Sequence, residues 1–211
     1  MMGSREWSLR LIGIGLLFVA SSGSTMAAGE KLSQTAASQD RLQSLLAEEW
    51  DYEMQTSPEW ATFLGDNRYN DRLRDYSAKA QAADVAKRKQ FLSRFETISA
   101  AGLSSQDSLN QTLMIRRLRQ QIEGAQFKDW EMPVNQMDGP HLFYPELVSL
   151  TPFKNVQDYE KYLARLRQLP HAFEQITTNM RDGMRDGLMP PKYLLEKVAV
   201  EAQDLADKKG E

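Results

Sequence analysis

From residue 40 onward, apolar residues recur at helical spacing along almost the whole chain. The first run, Asp40 to Gln55, places Leu42, Leu45, Leu46 and Trp50 near one face of a helix. Runs of the same kind follow, and short turn-rich segments separate them. The sequence therefore predicts an all-α fold of antiparallel helices and helical hairpins.

Capping residues mark where several of these helices begin and end. Residues 57–59 form a helix start, because Ser caps the first turn, Pro fits its backbone and Glu lies near the positive end of the helix dipole. Ser77 is predicted to cap a long helix over 77–101, and a second helix over 105–123 follows after a very short turn. These two segments should lie antiparallel as a hairpin.

Residues 125–151 break this pattern, because they contain three prolines, a glycine and many aromatic residues. We predict a long Pro-rich irregular loop here, with one helical turn at Pro145 to Leu150. Loops of this length in a compact domain are often functional. Helices are predicted to resume at Asn155, with an apolar stripe that is expected to face the interior. The stripe consists of Tyr159, Tyr162, Leu163 and Leu166.

The N-terminal residues have the three-part plan of a secretory signal peptide. Arg5 and Arg10 precede the uncharged apolar run 11–20, and small residues follow over 21–28. The apolar run is shorter than the ~20 residues that span a bilayer. A cleaved leader is therefore predicted, with a periplasmic or secreted mature protein and no membrane contact after cleavage. The alternative is an uncleaved N-terminal membrane anchor.

These patterns divide the chain into three parts. Residues 1–27 are predicted to be the signal peptide, residues 28–39 a flexible lead-in, and residues 40–211 the helical N-terminal segment of a larger domain.

Composition excludes several classes of function. The 26 Lys and Arg residues against 29 Asp and Glu give a net charge of −3, which argues against general binding of nucleic acid. The chain has no cysteine, so disulfides, thiol catalysis and Cys-type zinc sites are excluded. Its two histidines, His141 and His171, lack the His-Glu spacing with which a helix binds zinc. No nucleotide-binding glycine loop and no nucleophile elbow is present.

Three side chains in the Pro-rich loop are the candidates for binding a substrate. Gln136, His141 and Tyr144 are polar residues in a region where long loops commonly carry function. The alternative is that His141 is a structural histidine with its hydrogen bonds satisfied inside the protein. The sequence offers no catalytic residue and no metal ligand.

Six segments of the chain, in this order and at these distances, resemble the N-terminal part of a large bacterial family, domain of unknown function 885. The resemblance covers nearly all of the chain from about residue 40. The segments are Ser57 to Asp66, Tyr69 to Leu73, Asp75 to Ser77, Met132 to Gly139, Asp158 to Leu166 and Arg185 to Pro191.

The resemblance implies an exported, mostly helical protein that is similar to zinc metallopeptidases of the gluzincin type. In the family, the metal site is expected in the C-terminal half, as a His-Glu stretch with a second His and a later Glu. No position of this chain matches that stretch. The resemblance therefore implies that the chain is about the first third of a family member and is inactive alone. Zinc is expected only in the missing C-terminal catalytic half, which is the expected partner along with a peptide substrate. The alternative is a stand-alone periplasmic helical binding or adaptor protein.

Overall fold

The computed structural model describes the backbone of residues 22–207 and the side chains of residues 35–207 except Leu205. This part of the chain is helical and contains no β-strand, which confirms the predicted all-α fold. Short 3₁₀ turns occur at Asn67–Tyr69, Ala125–Phe127 and Asp129–Glu131. The α-helices are α1 (Ser22–Thr56), α2 (Pro58–Phe63), α3 (Ala78–Glu96), α4 (Ser105–Gly124), α5 (Pro140–Leu150), α6 (Val156–Leu166), α7 (Leu169–Asp186) and α8 (Lys192–Asp207).

Helix α1 begins well before the predicted start at residue 40. It runs without interruption from Ser22 to Thr56, so residues 28–39 are helical where the sequence indicated an irregular lead-in. The segment contains no proline, and its alanines favour a helix more than the single Gly29 disfavours it. The predicted signal peptide lies largely outside the described residues, so its cleavage stays a prediction.

The main apolar core lies among α1, α3 and α4, where α3 and α4 form the predicted antiparallel hairpin. Burial of these side chains removes apolar surface from water and is the main source of stability in this region. Its buried members are Leu42, Leu45, Phe91, Phe95, Ile98 and Leu118.

Helix α3 ends at Glu96 and not at Ala101 as predicted. The cause lies in the facing helix, because the buried Gln111 side chain donates hydrogen bonds of 2.9 Å to the carbonyl oxygens of Phe95 and Ile98. These bonds satisfy carbonyl groups that a helix end leaves unpaired. Gly102 takes a positive φ of 91° in the turn that follows, a conformation that glycine adopts without strain.

The Pro-rich region is more helical than predicted, because α5 spans Pro140–Leu150 and not a single turn from Pro145. Pro140 lies in the first turn of α5, where its missing N–H group costs nothing. Pro145 removes one backbone hydrogen bond without ending the helix. Tyr144 and Leu147 are buried on one face, and their packing holds this helix in place.

The predicted interior stripe of α6 is wrong for two of its residues. Tyr159 is 54% exposed and Leu163 is 50% exposed, and Val156 on the same face is 74% exposed. The fully buried side chain of α6 is Arg165, at 0% exposure. A polar tether therefore holds α6 in the structure, and its apolar face is open to solvent. None of the described helices is both long and apolar enough to cross a membrane.

Candidate ligand-binding groove

The connection between α2 and α3 includes residues 69–77, here called the tethered segment. It has no helix or strand over residues 72–76. Its backbone is instead held by side chains that lie about a hundred residues further along the chain. Because backbone N–H and C=O groups must find partners when they are shielded from water, these side chains fix the path of the segment.

Arg165 on α6 provides the first tether. Its Nε donates to the carbonyl oxygen of Arg72 (2.8 Å), and its Nη2 donates to the carbonyl oxygen of Tyr69 and to Oγ1 of Thr62 (both 2.9 Å). It makes no ion pair with any described carboxylate. Burial lowers the pKa of Arg165, but a guanidinium stays charged, so its bonds to backbone carbonyls are charge-assisted.

A polar row that begins just before α7 and continues along it provides the other tethers. The Gln168 side chain accepts from the backbone N–H of Leu73 (3.2 Å) and donates to the carbonyl oxygen of Asp71 (2.7 Å). The Gln175 side chain accepts from the backbone N–H of Tyr76 (2.9 Å). These hydrogen bonds thus hold the backbone of the tethered segment from Asp71 to Tyr76.

Two further contacts complete the row. The Asn179 amide donates to the carbonyl oxygen of Tyr76 (2.8 Å), and the Gln175 amide donates to Oδ1 of Asp75 (2.8 Å). From α2, the buried Glu59 carboxylate accepts from the backbone N–H of Arg74 (2.9 Å). Arg74 therefore has a fixed backbone, and the direction in which its side chain leaves the segment is set.

The sequence analysis did not identify these tethering residues. Gln168, Gln175 and Asn179 are separated by seven and four residues, so they share one face of a helix with the buried Ala172 and Ile176. The sequence therefore contains a row of polar residues at helical spacing that could have been recognised. It does not indicate which backbone groups this row binds.

The tethered segment forms one wall of an open groove against the end of α1 and the start of α3. Three cavities of about 430, 510 and 370 Å³ adjoin here. Arg74 lines all three, and Glu53 lines the second and third. We refer to the three together as the polar groove. Its floor carries both charges and aromatic side chains, so it can accept a ligand that is polar at one end and apolar at the other.

Four of the charged side chains that line the groove are paired with one another. Arg88 binds Asp84 (Nε to Oδ2, 2.7 Å) and Glu53 (Nη2 to Oε2, 3.2 Å), while Arg117 binds the same oxygen of Glu53 at 3.2 Å. Burial opposes the charge of Arg88, but Asp84 and Glu53 outweigh it and raise the pKa. Burial, together with the nearby Asp84 carboxylate, raises the pKa of Tyr52, whose hydroxyl donates to Asp84. The two arginines of this network compensate the charges of its two carboxylates, and the ion pairs hold these side chains in place on one wall of the groove.

The three predicted substrate-binding residues lie outside the polar groove. His141 is buried in α5, with its Nε2 3.2 Å from Oε2 of Glu201 on α8. Tyr144 is buried on the same helix, and its hydroxyl donates to the hydroxyl of Tyr76 at 3.2 Å. Burial raises the pKa of Tyr144. Gln136 is half-buried in the preceding turn. The three side chains form no shared pocket with the groove, and their role in substrate binding stays a prediction.

Four buried side-chain atoms of the described residues have no hydrogen-bond partner; one is Nη1 of Arg165, and the other three belong to residues between 131 and 141. These three are Oε2 of Glu131, Oε1 of Gln136 and Nδ1 of His141. Such atoms cost free energy unless a partner reaches them, so this part of the fold is incompletely satisfied as it stands.

The described residues do not fit a zinc site. No three His, Asp or Glu side chains come together as metal ligands in residues 35–207. His141 has a single carboxylate beside it, and the exposed His171 is 3.8 Å from Glu174. No step that requires a metal can therefore be assigned to this part of the chain.

The structure so far defines an all-α protein with a polar groove beside a tethered segment. Comparison with protein families identifies the family of the chain. Residues 58–211 match the family described as bacterial protein of unknown function (DUF885). This match covers most of the chain, so the chain belongs to the DUF885 family. It includes the tethered segment and every side chain that tethers it. No curated protein matches the chain.

Proposed function

We propose that this chain is the exported N-terminal scaffold of a zinc-dependent peptidase, inactive by itself. The catalytic half, which holds the zinc, is supplied by another stretch of polypeptide. The helices described above form one wall of the substrate cleft, and the polar groove is the part of that wall that contacts peptide. Membership in the DUF885 family supports this proposal, since the resemblance described in the sequence implies similarity to zinc metallopeptidases of the gluzincin type.

The observation that carries the proposal is the open apolar face of α6. Val156, Tyr159 and Leu163 are separated by three and four residues and are each at least half exposed. Large apolar side chains that share one exposed face mark an interaction surface when they form a patch. Further exposed apolar side chains follow on α7 and α8 and in the turn between them, and these are Met184, Met189, Tyr193 and Val200.

The segment from Pro133 to Pro145 is our second contact region for the catalytic half. The unpartnered buried atoms of Gln136 and His141 lie there. A docking protein that shifts this segment can provide the missing hydrogen bonds, which would favour the complex over the separate chains. Gln136, His141 and Tyr144 would then lie at the edge of the cleft.

The test is co-purification. The chain is expressed with the polypeptide encoded immediately downstream, and the complex and the chain alone are assayed for bound zinc and for peptide hydrolysis. We expect zinc and activity only in the complex. Stoichiometric zinc or hydrolysis in the chain alone contradicts the proposal.

Two substitutions locate the interface. Leu163→Ser on α6 should weaken the complex by roughly tenfold, because it removes apolar area from the proposed interface. Leu109→Ser on α4 is the matched control, because Leu109 is also 50% exposed but lies in the three-helix region. Equal effects of both substitutions would contradict the assignment of the interface to α6.

A second candidate function is a stand-alone periplasmic binding or adaptor protein. The polar groove favours it, because the groove is formed entirely by residues of this chain. In that case no downstream polypeptide co-purifies with the chain, but the chain alone binds its ligand.

A further inference from the structure

We propose that Arg74 binds the C-terminal carboxylate of a peptide, and that the third cavity of the groove takes the apolar side chain of the last residue. This inference rests on the proposed function in so far as it takes the ligand to be a peptide. The observation behind it is the position of Arg74, where three cavities meet.

Arg74 differs from the other arginines of the groove in having no acidic partner. Arg88 and Arg117 are paired with Glu53, and Arg72 is 3.7 Å from Asp71. No described carboxylate lies within ion-pair distance of the Arg74 guanidinium. The Glu59 carboxylate accepts a hydrogen bond from the backbone N–H of Arg74 and not from its guanidinium. Among the described arginines that line the groove, Arg74 is therefore the one whose guanidinium is free to pair with a carboxylate of a ligand.

The guanidinium of Arg74 is also suitably placed to bind a carboxylate. Its Cζ lies 6.0 Å from the centroid of the Tyr76 ring, so the aromatic face supports one side of the cation. Stacking of this kind leaves the N–H edges of the guanidinium free, and these edges match the two oxygens of a carboxylate. Because the tethers on both sides fix its backbone, little backbone entropy is lost when a ligand binds.

The surroundings of Arg74 indicate which carboxylate it binds. In the third cavity the charge lies beside the aromatic side chains of Trp60, Tyr76 and Phe143. Trp60 is itself held by stacking on Phe63, with 4.9 Å between ring centroids. A free chain end with an apolar last side chain presents a negative charge next to an apolar group, which is the arrangement this cavity complements.

The negative side chains in the same cavity do not repel such a ligand strongly. Glu53 is neutralised by Arg88 and Arg117, and Glu59 accepts a backbone hydrogen bond and lies in the field of the buried Arg165. Arg74 is the cationic side chain that lines this cavity, and it can therefore pair with a ligand carboxylate there.

The experiment compares two probes on the full chain: N-acetyl-Ala-Ala-Phe with a free C-terminus and the same peptide as its C-terminal amide. Binding is measured by calorimetry and by the NMR signals of the arginine Nε–H groups. We expect the free acid to bind about tenfold more tightly than the amide, as one charge-assisted carboxylate pair provides. The Arg74 signal should shift with the acid only.

Three variants identify the residue responsible. Arg74→Gln should abolish the preference for the acid, and Arg74→Lys should retain only part of it, because lysine keeps the charge without the two-pronged donor edge. Arg116→Gln is the matched control, because Arg116 is an exposed arginine of α4 with no acidic partner among the described residues, and it lies outside the groove. This variant should behave as the parent.

Several outcomes would overturn the inference. They are equal affinity for acid and amide, an unchanged preference in Arg74→Gln, or no binding of either peptide at about 10 mM, where even a Kd of about 1 mM would be seen. Because binding needs no catalysis, acid-selective binding by the chain alone supports this inference whatever the co-purification experiment shows. The peptidase scaffold is contradicted separately, by stoichiometric zinc or hydrolysis in the chain alone.

Discussion

The three-helix region of α1, α3 and α4 and the region from α5 to α8 are stabilised in different ways. The first packs leucines and phenylalanines against one another in a continuous cluster. The second is attached through buried polar side chains such as Arg165 and Asn179, while its α6 turns Tyr159 and Leu163 to solvent. The second region also buries apolar side chains such as Leu147 and Ile176, but it leaves one apolar face of α6 exposed to solvent. This difference supports an interface on the second region.

Removal of a core side chain should have the largest effect. Phe95→Ala should lower the free energy of unfolding by about 3–5 kcal/mol, because it creates a cavity in the three-helix cluster. Urea denaturation followed by circular dichroism measures the change. Leu113→Ala on α4, where the side chain is half exposed, is the control and should cost under about 1 kcal/mol. A similar loss in both variants would mean that the cluster is not the main source of stability.

Removal of the central tether should have the next largest effect. Arg165→Met keeps much of the side-chain volume, but it removes the side-chain donor to the carbonyl group of Arg72 and one of the two donors to the carbonyl group of Tyr69. The expected loss is about 2–4 kcal/mol by the same denaturation experiment. Amide hydrogen exchange should accelerate over residues 69–77 and not in α3. Arg167→Met is the control, because Arg167 lies two residues further along the chain and its side chain is exposed. A loss below about 1 kcal/mol would contradict the tethering role.

The buried Glu49 allows a test by pH within the three-helix region. Burial raises the pKa of Glu49, although Arg117 acts in the opposite direction. The ionised carboxylate is therefore disfavoured in the folded state, and stability falls as pH rises through the range between the unfolded and folded pKa values. Glu49→Gln should thus be more stable than the parent at about pH 7, and the difference should vanish at about pH 3, where both states are protonated.

The neighbouring Glu48 provides the matched control for that experiment. The hydrogen bond from Arg94 lowers the pKa of Glu48, so its ionised form is favoured in the folded state. Glu48→Gln should therefore be less stable than the parent at about pH 7, and this loss should disappear as pH falls through the folded pKa. Thermal unfolding of both variants at the two pH values gives the comparison. The same sign of change in both would refute the assignment.

The smallest effect on stability is expected on the open face of α6. Leu163→Ser should change the free energy of unfolding of the chain alone by under about 0.5 kcal/mol, because the side chain is half exposed. Denaturation of the isolated variant measures this. A loss of 2 kcal/mol or more, on the order of a core substitution, would show that the residue already has a partner within the chain.

The sequence predicted the fold class and the α3–α4 hairpin because helical spacing and caps such as Ser77 depend on local interactions. Ser77 does cap α3, and Ser104 caps α4 in the same way, through side-chain hydrogen bonds to backbone N–H groups. The end of α3 could not be predicted in the same way, because it depends on Gln111 from the facing helix. The inner face of α6 was predicted incorrectly because an amphipathic pattern does not specify whether its apolar side meets this chain or another.

The groove was less predictable than the fold. The connection does contain ion pairs, because Arg68 binds Asp66 and Asp51. What fixes residues 72–76, however, is a set of amide side chains from α7 whose partners are backbone atoms. Every residue has nearly the same backbone groups, so the sequence of this segment does not show which of them are bound. The three-dimensional structure is needed to identify the contacts.

The long separation of the tethers also has a consequence for how the molecule folds. The bonds from Arg165, Gln168, Gln175 and Asn179 join positions that are 93 to 103 residues apart. Contacts between such distant positions have a large entropic cost of loop closure, so they form late in folding. The α3–α4 hairpin forms earlier, because its contacts join residues that are close in sequence. A nascent chain can therefore form its three-helix region before its polar groove, and the groove is complete only when α7 has been added.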